Sequence, residues 1–214
     1  MARTALCCAS EEFVVEKPFS QACENNKQPI LAVLRQYLTT PGSLLEVGSG
    51  TGQHAAYLSA QLPYIHWQPT DVAEHLPGIQ QWCQEADQPN LAAPIAFDVT
   101  QKMPCPAPHD HLFSANTLHI MSWEAVESFF NLLPNLVKPS GYVFFYGPFK
   151  YRGQYTSPSN ADFDVWLKQR APHQGIRDFE AIAELADQAK LDLLEDVSMP
   201  ANNQTLVWKK RTHS

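Results

Sequence analysis

The amino-acid sequence predicts an α/β fold, with a doubly wound, mostly parallel sheet of seven strands that ends in a C-terminal antiparallel hairpin. Five short apolar runs alternate with segments of helical periodicity, which is typical of such a sheet. The run GYVFFYG at 141–147 is continuously apolar, as expected for a central strand covered on both faces. Two last runs, LDLLEDVS and QTLVWKK, are joined by the turn-like MPANN and predict the hairpin.

The composition is that of a globular protein with one substantial core. The chain has 214 residues, of which 44% are hydrophobic and 17% charged. Its formal net charge of -7, with no basic run longer than KKR, argues against a nucleic-acid partner. No stretch approaches the roughly 20 apolar residues of a membrane span, and the first residues lack the apolar core of a signal peptide. We therefore expect a cytoplasmic protein without a membrane partner, and the sequence leaves its oligomeric state open.

The cysteines and most histidines show no ligand spacing, so we expect no metal site. The cysteines are Cys7, Cys8, Cys23, Cys83 and Cys105. Their odd number and scatter indicate reduced thiols, although the adjacent pair at 7–8 leaves lipid attachment open. The histidines interpreted as surface or packing residues are His54, His66, His75, His109 and His111.

The domain prediction has three parts. Residues 1–28 are expected to form an N-terminal arm or lid, because ENN at 24–26 precedes a helix that begins with Pro29 in its first turn. Residues 29–214 are expected to form a single domain. Within it, residues at about 148–177 are predicted to be an insertion on the substrate side, which begins with the irregular polar and aromatic run PFKYRGQYTSPSNADF and resumes an apolar pattern at FDVWLKQR.

Four strands and a long helix fill the first part of this domain. The strands are SLLEV, YIHWQPT ending at Asp71, APIAF closed by Asp98, and HLFSA. The helix follows Ser122, a plausible N-cap, and Pro134 is expected to kink or break it.

Three glycines follow the first strand, at Gly48, Gly50 and Gly52. In an open parallel sheet, ligands bind beyond the carboxyl ends of the strands where the strand order reverses. Glycine lets the backbone of such a loop approach a ligand, and the next helix offers free N–H groups. A dinucleotide fingerprint would place another glycine where Gln53 stands. This departure makes a nicotinamide dehydrogenase the most distant alternative.

Polar residues at four successive strand ends together predict the chemical groups of one ligand. Glu46 is suited to attract an ammonium group, and Asp71 to accept hydrogen bonds from two ribose hydroxyls. Asp98 is suited to the exocyclic amine of adenine, beside the backbone of Val99 at the ring edge. Asn116 would close the pocket near the reacting centre. Together these groups predict an adenosine that carries an amino acid, although each acid has a structural alternative as a helix cap or an ion-pair partner.

The motifs LLEVGSGTG, WQPTD, FDV and FSANTLHI, in this order, resemble those of class I S-adenosylmethionine-dependent methyltransferases. ACENNKQPIL, NTLHIMSW, YGPF, TSPSNADFD, GIRD and MPANN further resemble a methyltransferase-like family catalogued as domain of unknown function 938. The resemblance implies a Rossmann-like class I methyltransferase fold, S-adenosylmethionine as cofactor, S-adenosylhomocysteine as product, and an acceptor that the family does not define. The expected cofactor-binding residues are Glu46, Gly48, Ser49, Gly50, Gly52, Asp71, Asp98, Val99 and Asn116.

The implied chemistry is the in-line attack of a nucleophile on a sulfonium methyl group, driven largely by positioning and exclusion of water. A general base is needed only if the acceptor arrives protonated, and His119 is the candidate, with a structural role as the alternative. The expected substrate-side residues are Asn25, Asn26, Tyr146, Tyr155, Asn160 and Arg177. The acidic charge and the absence of an appended recognition domain favour a small-molecule acceptor. A protein or RNA methyltransferase with a partner subunit, and a non-catalytic cofactor-binding protein, remain alternatives.

Overall fold

A seven-stranded sheet forms the centre of the computed structural model, which describes residues 17–101 and 106–212. The strands are β1 (Gly42–Val47), β2 (Ile65–Asp71), β3 (Ile95–Ala96), β4 (His111–Ala115), β5 (Tyr142–Gly147), β6 (Phe149–Tyr151), β7 (Gln154–Tyr155), β8 (Arg177–Asp178), β9 (Leu191–Met199) and β10 (Asn203–Lys210). The helices are α1 (Gln21–Tyr37), α2 (Gln53–Gln61), α3 (Leu76–Ala86), α4 (Trp123–Leu136), α5 (Pro158–Arg170) and α6 (Phe179–Gln188). Cys7, Cys8 and Cys105, and the outer part of the expected arm, lie outside the described residues.

The strand order of the large sheet is β3-β2-β1-β4-β5-β10-β9, and only β10 runs antiparallel to its two neighbours. The predicted fold class and the C-terminal hairpin are therefore confirmed. The chain moves outward from β1 to β3 and then returns to place β4 on the other side of β1. This reversal makes the carboxyl ends of β1 and β4 the switch point at which an open sheet of this kind binds ligands.

Apolar side chains cover both faces of the sheet, as the continuous run of β5 predicts. Successive strand residues point to opposite faces, so Phe144 and Phe145, both fully buried, belong to different clusters. Phe145 packs with α4 and α6, whereas Phe144 packs with α1 and α2. A phenylalanine on each face anchors the helices on both sides of the strand whose end opens into the site.

The first helix is longer than predicted. It begins at Gln21 rather than near Pro29, which lies inside it, and Ser20 caps its first turn by accepting a hydrogen bond from the Cys23 backbone N–H at 3.4 Å. The added turns carry few apolar residues, and Asn26 rather than a hydrophobic residue is the buried one there. Apolar periodicity therefore misses them. The inner part of the expected arm is a regular extension of the helix.

Two further predictions of element bounds are corrected. The helix α4 continues through Pro134 to Leu136, so this proline does not end it. The Lys210 ammonium donates to the carbonyls of Pro134 and of the C-cap residue Val137, each at 2.6 Å. The strand expected from APIAF is reduced to β3, which pairs with β2 at two positions only. Ile95 is 40% exposed at this sheet edge, so little burial favours a longer strand.

The predicted insertion at 148–177, whose first part was expected to be irregular, contains regular structure. The strands β7, β6 and β8 form a separate three-stranded sheet, and α5 begins after Ser157, whose hydroxyl accepts from the Asn160 N–H at 3.2 Å. Much of this helix is polar, and its apolar residues do not share one face, so the pattern at FDVWLKQR indicates only its later part. None of the helices in the described ranges has the length and apolar character needed to cross a membrane.

Candidate active site

A cavity of about 960 Å³ opens at the carboxyl ends of β1, β2, β4 and β5. Its lining comes from the start of α1, the loop after β1, the segments that follow β2 to β5, α5, and the turn before β10. Its size falls within the range of about 300–1,000 Å³ that is usual for ligand pockets. The predicted residues that line it are Asn25, Asn26, Gly48, Ser49, Gly50, Asp71, Asp98, Val99, Asn116, His119, Tyr146 and Asn160.

The three loop glycines all have positive φ, of 76°, 59° and 91° at Gly48, Gly50 and Gly52, but they face different neighbours. A Cβ atom at Gly48 would lie 2.6 Å from the side chain of Thr117, and one at Gly52 only 2.9 Å from the Cα atom of Ile79 in α3. A Cβ atom at Gly50 would have nothing within 4 Å. Gly52 is also absent from the cavity lining. Close packing explains Gly48 and Gly52, and Gly50 alone faces open space.

Asp71, at the end of β2, ties this loop to the next segment. One carboxylate oxygen accepts from the Gly50 N–H at 2.7 Å. The other accepts from the Val72 N–H at 2.7 Å and lies 2.8 Å from Nδ1 of His75. The carboxylate is thus fixed in orientation, while its remaining lone pairs can still accept from a ligand. His75 also lines the cavity, so its interpretation as a surface or packing residue misses this role.

The next two strand ends supply polar groups of a different kind. The carboxylate of Asp98 accepts hydrogen bonds from Thr100 and Gln101, which lower its pKa, while the neighbouring Val99 is buried. Asn116 has a left-handed backbone with φ of 57°, and its N–H donates to the Tyr146 carbonyl at 2.8 Å. A left-handed asparagine turns the chain sharply at the end of β4. Its side chain and that of His119 thereby come near Gly147.

Glu46 lies behind the cavity and is not part of its lining. Its side chain accepts from the indole N–H of Trp67 at 2.8 Å. Burial raises its pKa to about 7, against the lowering effects of Trp67 and of Ser49. The Ser49 hydroxyl lies near this carboxyl, but its geometry does not form a hydrogen bond, so its buried oxygen has no partner among the described residues. Glu46 as a ligand for an ammonium group stays a prediction.

Polar contacts hold the start of α1 against the loop. The side chain of Gln53 accepts from the Ser20 N–H at 2.5 Å and donates to the Glu24 carboxylate at 2.8 Å. Nε2 of His54 lies 2.6 Å from Oδ1 of Asn26, and both side chains are buried and line the cavity. Burial lowers the pKa of His54 to about 4, so its ring is neutral and its Nε2 donates to Asn26.

The interpretation of His54 as surface or packing is therefore incomplete. Its position directly after the glycine loop was the available signal, but its partner belongs to the turns of α1 that the sequence pattern does not reveal. The Asn26 amide also lies beside the Tyr146 hydroxyl and lowers its pKa, although burial raises that pKa overall. These three side chains form one polar wall.

His119 is 5% exposed, and burial, reinforced by the positive charge of Arg177, lowers its pKa to about 4. Its ring contacts the Phe163 ring edge to face at 5.4 Å between centroids. Neither ring nitrogen has a hydrogen-bond partner in the described part of the chain. The ring is therefore neutral at pH 7, and one nitrogen is free to accept a hydrogen bond from a ligand.

Two expected substrate-side residues lie elsewhere. The Arg177 guanidinium donates to the backbone carbonyls of Leu118 at 3.0 Å and His173 at 3.1 Å, and also to that of Met121. It lines a separate pocket of about 340 Å³. Arg177 is thus absent from the cavity lining, because its donors hold the segment after β4 in place, and a substrate contact by Arg177 stays a prediction. Tyr155 is also absent from the cavity lining, since its hydroxyl donates to the Asp164 carboxylate at 2.7 Å.

Of the α5 residues that line the cavity, the sequence prediction included Asn160 and missed Ser159, Phe163, Trp166, Leu167 and Arg170. The rings of Phe163 and Trp166 stack at 5.7 Å with an interplanar angle of 15°. Aromatic residues at helical spacing are typical of a buried core, so this spacing alone does not indicate a cavity lining. Trp166 is nevertheless 50% exposed.

The residues present fit an adenosine-containing cofactor. The open space at Gly50, the unpartnered buried hydroxyl of Ser49 and the fixed carboxylate of Asp71 lie along one side of the cavity. Glycine at a site of close approach and a carboxylate at the next strand end are what such a ligand needs. Among the residues with assigned structure, no group of three His, Cys, Asp or Glu side chains is placed to hold a metal ion. Of the cysteines, Cys23 and Cys83 are described, and both are free thiols.

Comparison with solved structures shows the class I methyltransferase fold. An O-methyltransferase family protein from Burkholderia thailandensis superposes with a TM-score of 0.77 at 15% identity, covering 90% of this chain and 58% of that one. The S-adenosylmethionine-dependent methyltransferase SibL, in its apo form, gives 0.75 at 20% identity, with 89% and 56% covered. Human N-acetylserotonin methyltransferase in complex with SAM gives 0.74 at 15% identity, with 89% and 53% covered. The chain thus spans little more than half the length of these proteins.

The sequence pattern of the family described as "Protein of unknown function (DUF938)" matches residues 17–210. The chain therefore belongs to this family, as the sequence motifs predict.

Proposed function

We propose that this DUF938 protein is an S-adenosylmethionine-dependent methyltransferase that acts on a small molecule. The observation that carries the proposal is the composition of the cavity at the switch point. One part of its lining is the glycine loop with Asp71, and another is His119 with the inserted helix α5. A single cavity thus offers a cofactor half and an acceptor half, as transfer between two bound molecules requires.

The cofactor half would be held by this chain's backbone and acids. The free N–H groups at the start of α2 and the open approach at Gly50 suit the amino-acid portion, while Asp71 suits the ribose and Asp98 with Val99 the adenine. When bound, S-adenosylmethionine supplies a methyl group on a positively charged sulfur. The fixed orientation of Asp71 means that little reorganisation is needed on binding.

On the acceptor side, His119 has the most direct role. Its neutral ring accepts a hydrogen bond from an acceptor O–H or N–H and so aims the nucleophilic atom. A pKa of about 4 makes it a weak base, so it first orients the acceptor and takes up the acceptor's proton only as methyl transfer makes that proton strongly acidic. The hydroxyl of Tyr146, beside Asn26, supplies a second polar contact in the same wall. The buried setting of these groups excludes water from the reacting atoms.

A small-molecule acceptor is supported by the charge and by the fold. The net charge is -7, and the cavity lining contains more apolar than charged side chains. Among the solved structures with this fold is N-acetylserotonin methyltransferase, whose name gives a small molecule as acceptor. A cytoplasmic location stays a prediction from the sequence.

Calorimetric titration with S-adenosylmethionine and S-adenosylhomocysteine tests the cofactor half, with NAD as the control ligand. We expect micromolar affinity for the first two, about -8 kcal/mol, and none for NAD. Asp71→Asn should weaken both by about tenfold or more, because a charge-assisted hydrogen bond is lost. Glu74→Gln is the matched control, since it removes a neighbouring charge that is absent from the cavity lining. Equal effects of the two substitutions would contradict the assignment.

A screen with a labelled methyl donor then tests transfer to pools of small molecules, proteins and RNA. Label in a small molecule supports the proposal. Label only in protein or RNA would replace the acceptor class, and tight cofactor binding without any transfer would favour a non-catalytic binding protein. Binding of NAD alone would overturn the proposal.

A further inference from the structure

The inserted helix α5 presents an aromatic wall to the cavity. Phe163 and Trp166, three residues apart, stack their rings at 5.7 Å, and Trp166 is 50% exposed. Phe163 also contacts the His119 ring at 5.4 Å. An exposed tryptophan forgoes the hydrophobic stabilisation that burial of its apolar surface would give. A flat apolar ligand placed on this wall would recover it, beside His119.

The Arg170 side chain provides a cation next to the aromatic wall formed by Phe163 and Trp166. The guanidinium of Arg170 lies 5.6 Å from the centroid of the Trp166 ring, and both residues line the cavity. Within the described ranges Arg170 makes no ion pair. In contrast, Lys168 in the same helix binds the buried carboxylate of Asp164 at 2.6 Å, and the donors of Arg177 are taken by backbone carbonyls. Among the described residues, no other lysine or arginine lines the cavity, so Arg170 is the cation available there to an anionic ligand.

The chemistry of these groups defines a ligand class. A planar guanidinium binds a carboxylate through two parallel hydrogen bonds, and an aromatic face binds a flat conjugated ring. A single uncompensated arginine balances one negative charge, which suits a carboxylate. Ile120, also in the lining and 47% exposed, adds apolar surface beside this wall.

We propose that α5 forms the acceptor subsite for a planar aromatic carboxylate, with its ring packed against the exposed part of Trp166 and its carboxylate on Arg170. This inference rests on the proposed function, because it treats the bound molecule as the methyl acceptor. The nucleophilic atom then lies at the Phe163 end of the wall, where His119 can accept its hydrogen bond. The subsite selects its ligand by charge and by flatness.

Calorimetric titration with three probes tests both properties, with and without saturating S-adenosylhomocysteine. Cinnamate is flat and anionic, cinnamamide is flat and neutral, and cyclohexanepropionate is anionic but not flat. We expect cinnamate to bind about tenfold more tightly than either of the other two. Cinnamamide lacks the charge-assisted contact and cyclohexanepropionate lacks the aromatic contact, and either contact contributes about this factor.

Two substitutions separate the contributions. Arg170→Gln should weaken cinnamate about tenfold and leave cinnamamide unchanged, whereas Trp166→Leu should weaken both flat probes by a similar factor. Arg152→Gln is the matched control, because it removes an exposed charge of the same inserted segment outside the cavity lining. Affinity for S-adenosylhomocysteine should be the same in all three variants, which shows that each is folded.

The outcomes distinguish this proposal from the broader one. If S-adenosylhomocysteine binds but cinnamate and cinnamamide bind equally, or Arg170→Gln weakens both, the subsite is refuted and the methyltransferase proposal stands. If the cofactor product fails to bind while the three probes keep the expected order, the subsite stands and the methyltransferase proposal fails.

Discussion

Replacing Glu46 by glutamine should make the protein more stable at neutral and higher pH. The Glu46 carboxyl is 1% exposed and accepts a hydrogen bond from the Trp67 indole. Glutamine keeps this acceptor, and its new N–H donors lie near the Ser49 hydroxyl, whose buried oxygen has no partner among the described residues. The substitution therefore removes a buried charge without leaving the indole N–H unpaired.

The magnitude follows from the pKa of Glu46. Burial raises it from 4.5 to about 7. Below pH 4.5 the carboxyl is protonated in both the folded and the unfolded chain, and it does not oppose folding. As the pH rises from 4.5 to about 7, the unfolded chain has lost its proton while the folded chain still holds it, so stability is lost over this range and the loss is complete above it. At about 1.4 kcal/mol per pKa unit, the unfolding free energy is lowered by about 3 kcal/mol above pH 7. Glutamine does not ionise, so the variant does not lose this stability.

Urea unfolding of both proteins between about pH 5 and 8.5 measures this difference. The gain in unfolding free energy should be small at the acid end and grow to about 3 kcal/mol. The lowered pKa values of His54 and His119 act in both proteins and cancel in the difference. Asp110→Asn is a control of opposite sign, because Lys138 and Ser43 hold the pKa of that carboxyl well below its usual range. A gain that is independent of pH, or a loss at pH 8, would refute the reasoning.

Three other predictions concern the cavity itself. Because the pKa of His119 is about 4, the pH–rate profile of methyl transfer should show no inflection near pH 6.5 from this group. An inflection near pH 6.5 that disappears in His119→Gln would contradict this prediction. Gly52→Ala should lower the unfolding free energy by about 2 kcal/mol or more in urea, since its Cβ would meet Ile79 at 2.9 Å, whereas Gly50→Ala should cost about 1 kcal/mol for its left-handed backbone alone. Asp71→Ala should weaken calorimetric binding of S-adenosylhomocysteine far more than His119→Ala does, because Asp71 fixes the glycine loop through the Gly50 N–H. Equal losses would remove the division into cofactor and acceptor roles.

The central strands could be predicted because strands buried on both faces consist of continuous apolar residues. Phe144 and Phe145 face opposite clusters, and only an apolar run satisfies both. The start of α1 could not be predicted in this way. Its buried residue there is Asn26, which is satisfied by His54 from a distant element. A polar pair of this kind leaves no periodic signal, so the helix start and the role of His54 were missed together.

The acceptor side was harder to predict for a different reason. An aromatic residue on a helix gives the same sequence signal whether it faces a core or a cavity, and Trp166 does the latter. Arg177 shows the converse case, since an arginine next to an expected site need not face a ligand. Its guanidinium holds backbone carbonyls of the segment after β4 instead. Only the tertiary structure distinguishes it from Arg170, whose guanidinium lies over a cavity-lining ring.

Position 53 shows how one residue connects the glycine loop to the rest of the site. A dinucleotide fingerprint would have glycine there, and this chain has a glutamine that is 2% exposed. Its side chain binds the Ser20 N–H and the Glu24 carboxylate, and so joins the first turn of α2 to the first turn of α1. Asn26, one turn further along α1, is thereby held over the cavity beside Tyr146. The departure from the dinucleotide pattern therefore has a structural role, because the side chain at this position fixes the helix that closes one wall of the cavity.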